Sequence, residues 1–215
     1  MDDAALRRKF SELEARIARA EGSMHYWSNG EPLARSIIGA SGLLVQNTMM
    51  IVVPVFPPGK MHLQVARVAA GLPGAGSATA RMGLYSVRQP TLINRDRTPR
   101  VSNLDLALID KFDITYSFAG NPETAITSTT QWHRVEGSLE RTRQLAPEVQ
   151  YAIGVRVTSA VVFATAADAR IVESPIVSGL SASDLSLPAE ATARSGQSSF
   201  VALSLLSPRA AAILR

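Results

Sequence analysis

Several groups of side chains have types and spacings that could do chemistry. Asp105, Asp110 and Asp113 crowd around a strand pair, and carboxylate oxygens at such a bend are the donors calcium takes. The glycine and terminal glutamate of an EF-hand loop are absent. Glu136 and Glu140 lie close enough in sequence to suggest paired carboxylates, but nothing assigns one as acid and the other as nucleophile. The stretch Gly71-Leu-Pro-Gly-Ala-Gly76-Ser77 has the outer glycine spacing of a phosphate-binding loop. It lacks the lysine and runs into a strand instead of a helix, so it reads as an inter-strand loop. His25, His62 and His133 are far apart, without the close pairs that mark a metal site. Cysteine is absent, which removes disulfides, thiolate ligands and cysteine nucleophiles. No Gly-x-Ser-x-Gly elbow occurs. The sequence therefore assigns no catalytic residue, metal or cofactor, and a sandwich-fold hydrolase is the least favoured reading.

One stretch has the composition of a recognition surface. Trp132, His133 and Arg134 follow one another in Thr129-Thr-Gln-Trp-His-Arg-Val, and a tryptophan among polar neighbours suits the flat face of a sugar. The simpler reading makes Trp132 a core or inter-subunit packing residue.

The elements that must position these groups change character along the chain. In the first 24 residues Leu6, Phe10, Leu13, Ile17, Ala20 and Met24 recur at alternating spacings of 4 and 3. With Leu6, Leu13 and Ala20 at d and Phe10, Ile17 and Met24 at a, Lys9 and Arg16 fall at g and Glu14 and Glu21 at e. A parallel neighbour would then place Lys9 against Glu14 and Arg16 against Glu21, with opposite signs. This predicts a self-associating coiled coil over 1–24. About three heptads are marginal alone, so the body or a partner must help hold it. Asn29-Gly30, Pro32 and Gly39 mark 25–41 as a connector.

From residue 42 to 215 the period becomes 2. Strands are predicted at 43–56 (one or two), 61–68, 81–87, 104–109, 112–118, 127–135, 149–157, 160–164, 169–177 and 198–206. In the clearest of them Val149, Tyr151, Ile153, Val155 and Val157 share one face, with Gln150, Ala152, Gly154 and Arg156 opposite. Only the first face is expected to be core. With no helix between the strands, the fold class is mainly β: an N-terminal α-helical coiled coil followed by an antiparallel, jelly-roll-like β-sandwich. Ser207-Pro208 is expected to cap a terminal helical turn.

Charge narrows the partners. The net charge is +4, and the segment from Lys60 to Arg100 holds seven basic residues against Asp96 alone. Only Tyr85 is interleaved with them, whereas single-strand binders alternate several aromatics with charge, so nucleic acid is not an expected partner. The acidic start and the charges through position 21 do not form a signal peptide. The apolar run 42–56 is shorter than the roughly 20 residues of a membrane span.

Heptads, a Gly/Pro connector and a cysteine-free β body together resemble the structural proteins of tailed-bacteriophage virions, of the trimeric fibre, tail-knob and head-decoration kinds. The segment Leu145-Ala-Pro-Glu-Val-Gln-Tyr-Ala-Ile-Gly-Val-Arg-Val157 is similar to a strand of many fibre sandwiches, as are Gly-Leu-Tyr-Ser-Val at 83–87 and the strand from Trp132 to Leu139. The resemblance implies a homotrimer in a virion assembled in the bacterial cytoplasm. Its N-terminal helices would bind other virion proteins and its sandwich would point outward, with host polysaccharide as a further partner if the body is lectin-like. No functional residue is carried over from it.

Overall fold

Strand follows strand because β-branched and small apolar residues alternate over short runs that turn residues end. The computed structural model describes Lys9, Glu12 and residues 26–28, 38–57, 59–72, 76–88, 92–93, 99–100, 103–114, 117–120, 133–147, 149–166, 174–194 and 201–213. In chain order the first strands are β1 (Tyr26–Ser28), β2 (Ile38–Val45), β3 (Met50–Val55), β4 (Met61–Gly71), β5 (Gly76–Val87), β6 (Leu92–Ile93) and β7 (Pro99–Arg100). Then come β8 (Asn103–Ile114), β9 (Ser117–Gly120), β10 (His133–Leu145), β11 (Tyr151–Val157), β12 (Val161–Ala166), β13 (Ile176–Val177), β14 (Glu190–Arg194) and β15 (Leu203–Leu206). A helix, Pro208–Ile213, ends the described chain.

The protein is mainly β, and its strands pair antiparallel, as the sequence predicts. Six of them close on themselves: β3 pairs β11, β11 pairs β5, β5 pairs β8, β8 pairs β14, β14 pairs β13, and β13 returns to β3. A second layer runs β1–β15–β4–β10 and joins the ring where β10 pairs the end of β8. β12 and β2 extend it from β4.

The main core lies between the ring wall and this layer. Ile51, Val53 and Val55 of β3 and Tyr151, Ile153, Val155 and Val157 of β11 face Val68, Val135, Leu139, Phe163 and Leu203. The opposite faces of the same strands are buried too. Met50, Val52 and Ala152 join Tyr85, Leu104, Leu106, Val177 and Leu187 in a second core inside the ring. The expected one-sided burial of β11 is therefore corrected: all seven of its residues are buried, Arg156 included. Ring closure supplies neighbours on both sides of the strand.

Other boundaries shift for local reasons. The break expected between 109 and 112 is absent: β8 runs through it from Asn103 to Ile114, and Ser117 and Phe118 belong to β9. Tyr85 pairs with Leu108 and Leu84 with Asp110, which leaves Ile109 as a bulge. A bulge moves the following residues to the other face of a sheet. Leu104 and Leu106 accordingly serve the ring core, while Phe112 serves the main one. β10 continues to Leu145, past the expected end at Val135. Part of the stretch read as connector is sheet: β1 lies along β15, and β2 begins at Ile38. Ser207 caps the terminal helix as predicted, its Oγ accepting from Ala210 N–H at 3.2 Å. In the heptad segment Lys9 and Glu12 are helical and exposed, while Leu6, Phe10, Leu13, Glu14, Arg16, Ile17, Ala20 and Glu21 lie outside the described residues.

Candidate functional site

Among the described residues, two groups of interacting polar side chains stand out, one on the face of β10 turned away from the main core and one at a mouth of the ring. Val135, Gly137 and Leu139 are buried toward the main core, so Arg134, Glu136 and Ser138 project to the other side. His133 and Arg134 therefore point to opposite faces and form no shared patch. His133 is half-buried, Arg134 is exposed, and Trp132 lies outside the described residues.

Glu136 sits directly opposite Arg67 of β4, and Arg67 Nε donates to its carboxylate at 2.7 Å. The Arg67 side chain is only 2 % exposed, so this is a buried ion pair, with Arg134 Nε a looser neighbour at 3.9 Å. Arg67 Nη2 has no hydrogen-bond partner among the described residues. Next along this edge, Leu108, Ile109, Asp110, Lys111, Asp113 and Glu140 line an open depression of about 340 Å³. Its carboxylates do not converge. Asp110 accepts from Arg143 Nε at 2.7 Å, while Asp105, which does not line the depression, accepts from the Thr192 hydroxyl at 2.8 Å. Among the described residues no three His, Asp or Glu side chains group closely enough to hold a metal. Glu136 and Glu140 likewise serve different surroundings, the first an ion pair and the second the depression.

Of the basic surplus between 60 and 100, Arg95 and Arg97 lie outside the described residues, and two of the described members are engaged separately. Arg67 is buried against Glu136, and Arg88 pairs with Glu190 at 2.5 Å on the surface.

At the ring mouth the arrangement is more specific. The Arg156 guanidinium, on β11, donates to four main-chain carbonyls: Asp184 at 2.8 Å, Ser186 at 2.7 Å, Ser181 at 2.8 Å and Asn47 at 3.2 Å. Three belong to the segment between β13 and β14. A guanidinium presents five N–H donors in a fixed fork, which lets one side chain gather several carbonyls. Beneath it lies Tyr85, fully buried, whose hydroxyl donates to Pro188 O at 3.1 Å. Burial pushes its phenol well above the ordinary tyrosine range, with nearby Arg156 pulling weakly the other way. Asp184 is exposed. The Ser186 N–H and then the Ser186 hydroxyl hold its carboxyl below the usual range.

Sequence reasoning missed Arg156 and Tyr85. The signal was present, since Gly83 and Gly154 oppose one another across β5 and β11. Two glycines facing each other in a strand pair leave room for a bulky ring, and Tyr85 Cε2 lies 2.7 Å from where a Gly154 Cβ would stand.

No protein-family model matches the chain, and no curated protein does. Among solved structures, a CocE/NonD family hydrolase from Staphylococcus aureus aligns over 86 % of this chain with 7 % identity and a TM-score of 0.24. The chain spans about a third, 33 %, of that structure's length. Similarity this low carries no inference about fold or activity.

Proposed function

We propose that the chain is a non-enzymatic structural protein of a bacteriophage particle, a homotrimer that self-associates through an N-terminal coiled coil and carries a sandwich-like β body. The observation that carries this reading is the docking of β1. It starts just after Met24, the last residue of the heptad seam, and pairs along β15 from Tyr26–Leu206 to Ser28–Ser204. β15 in turn pairs with β4 at the centre of the second layer. In this reading a seam helix would hand over directly to β1, and a load on it would pass to ladder hydrogen bonds instead of to a slack linker. Such coupling suits a part fixed at one end to other virion proteins. Burying faces between identical copies would add the stability that a cysteine-free chain cannot draw from disulfides.

The seam's charges supply the test. Lys9→Glu with Arg16→Glu puts like charges opposite Glu14 and Glu21 of the neighbouring helix, and light scattering should show the trimer weakened. Adding Glu14→Lys and Glu21→Lys to the same chain should restore it. A mass unaffected by the first pair, or not recovered by the second, removes the coiled coil from the reading. A monomer that binds a glycan would favour the lectin-like alternative.

A further inference from the structure

The segment between β13 and β14 is attached to the body in an unusual way. From Ser178 to Ala189 its residues are exposed or half-buried, except Leu187 at 8 %. Every hydrogen bond the structure shows between residues 181–187 and the ring runs through Arg156. The ends are tied separately. Leu180 N–H donates to Thr48 O at 3.0 Å, and Ala189 O accepts from Leu108 N–H at 2.9 Å. Within the segment, the Asp184 carboxylate accepts from Ser186 N–H at 2.8 Å and Ser186 Oγ at 2.9 Å, a closed turn that needs nothing from the ring. At one end Gly179 adopts φ +75°, which glycine tolerates at little cost.

We propose that residues 180–188 form a plug that opens as a unit, with Arg156 as its latch, while the six-strand ring stays paired. Opening separates two apolar side chains, Leu187 and the half-buried Leu180, together with the Arg156 fan and the single bonds Leu180 N–H to Thr48 O and Tyr85 hydroxyl to Pro188 O. The guanidinium is left at the mouth, where water replaces the carbonyls, so no orphaned charge stays buried. The ring is of a different order: β11 alone is registered with β3 over six residue pairs and with β5 over seven. Local opening below the global unfolding free energy is drawn from segments with few buried contacts and hydrogen bonds of this sort. The opened mouth would present a five-donor fork above Tyr85 and Leu108.

The absence of cysteine makes the test clean, because an introduced thiol is unique. Leu187→Cys reports on the plug and Ala152→Cys on the ring interior, each followed by alkylation across a urea series. The plug thiol should react by a route almost independent of urea, and the ring thiol only through global unfolding. Adding Arg156→Lys keeps the charge but loses the fork, and should speed plug labelling at least tenfold while leaving the ring thiol unchanged. Equal rates and equal urea dependence at the two sites would overturn the proposal. Should the lysine variant fail to fold, hydrogen exchange on the unaltered chain decides it. The Leu180 amide, bonded to Thr48 O, should exchange ahead of Ile153, with a smaller urea dependence, and matching protection would refute a separate plug.

Discussion

Gly154→Ala should destabilise the protein by overfilling the ring. A Cβ there would lie 2.7 Å from Tyr85 Cε2, 2.8 Å from Met50 Sδ and 3.3 Å from Met50 Cε. The methionine tail can swing aside. The tyrosine ring cannot, because it is fully buried and its hydroxyl is held by Pro188 O. Overpacking of this kind costs about 1–3 kcal/mol, so about 2 kcal/mol is expected, or a Tm lower by roughly 4–8 °C for a chain of this size. Urea unfolding followed by circular dichroism gives the number, with Gly59→Ala as control. Nothing lies within 4 Å of a Cβ at Gly59, so that change should stay within about 0.5 kcal/mol. In a Tyr85→Leu background the alanine at 154 should cost far less, giving a coupling above about 1 kcal/mol in the double-mutant cycle. A neutral Gly154→Ala, or an equal loss in both backgrounds, would refute the proposed packing of ring against glycine.

Two further outcomes follow from the buried polar groups. Glu136→Ala leaves the Arg67 charge buried without its partner and should cost about 3 kcal/mol by urea denaturation; Arg67→Met with Glu136→Leu should recover most of that loss. For Tyr85 the folded state holds the phenol protonated above its unfolded value of 10.0. Its contribution is intact below that pH and declines as pH rises beyond it, because the unfolded chain then releases a proton the folded one keeps. Urea midpoints should fall above about pH 10 in the parent and fall less in Tyr85→Phe.

How far the sequence could be read depended on whether the cause was local. The period-2 run of β11 and the Ser207 cap are set by neighbouring residues, and both were legible. Ring closure was not, because it joins β3 to β13 and β8 to β14 across long sequence separations that no local pattern encodes. The polar-looking face of β11 hid a core for the same reason: Ala152 and Gly154 are small to admit Tyr85, and the Arg156 charge is solvated by carbonyls about thirty residues away in sequence. Asp110 and Lys111 fell between two expected strands because a bulge at Ile109 breaks the alternation without ending the strand. The Trp132-His133-Arg134 patch could have been questioned from the sequence alone, since adjacent strand residues face opposite ways.

Sedimentation equilibrium of the full chain, over a wide concentration range and at physiological salt, tests the assembly reading most directly. The expected result is one species at three times the 23.0 kDa chain mass, reduced in mass when residues 1–22 are removed while the β circular-dichroism signature is kept. A single 23.0 kDa species at every concentration would contradict it.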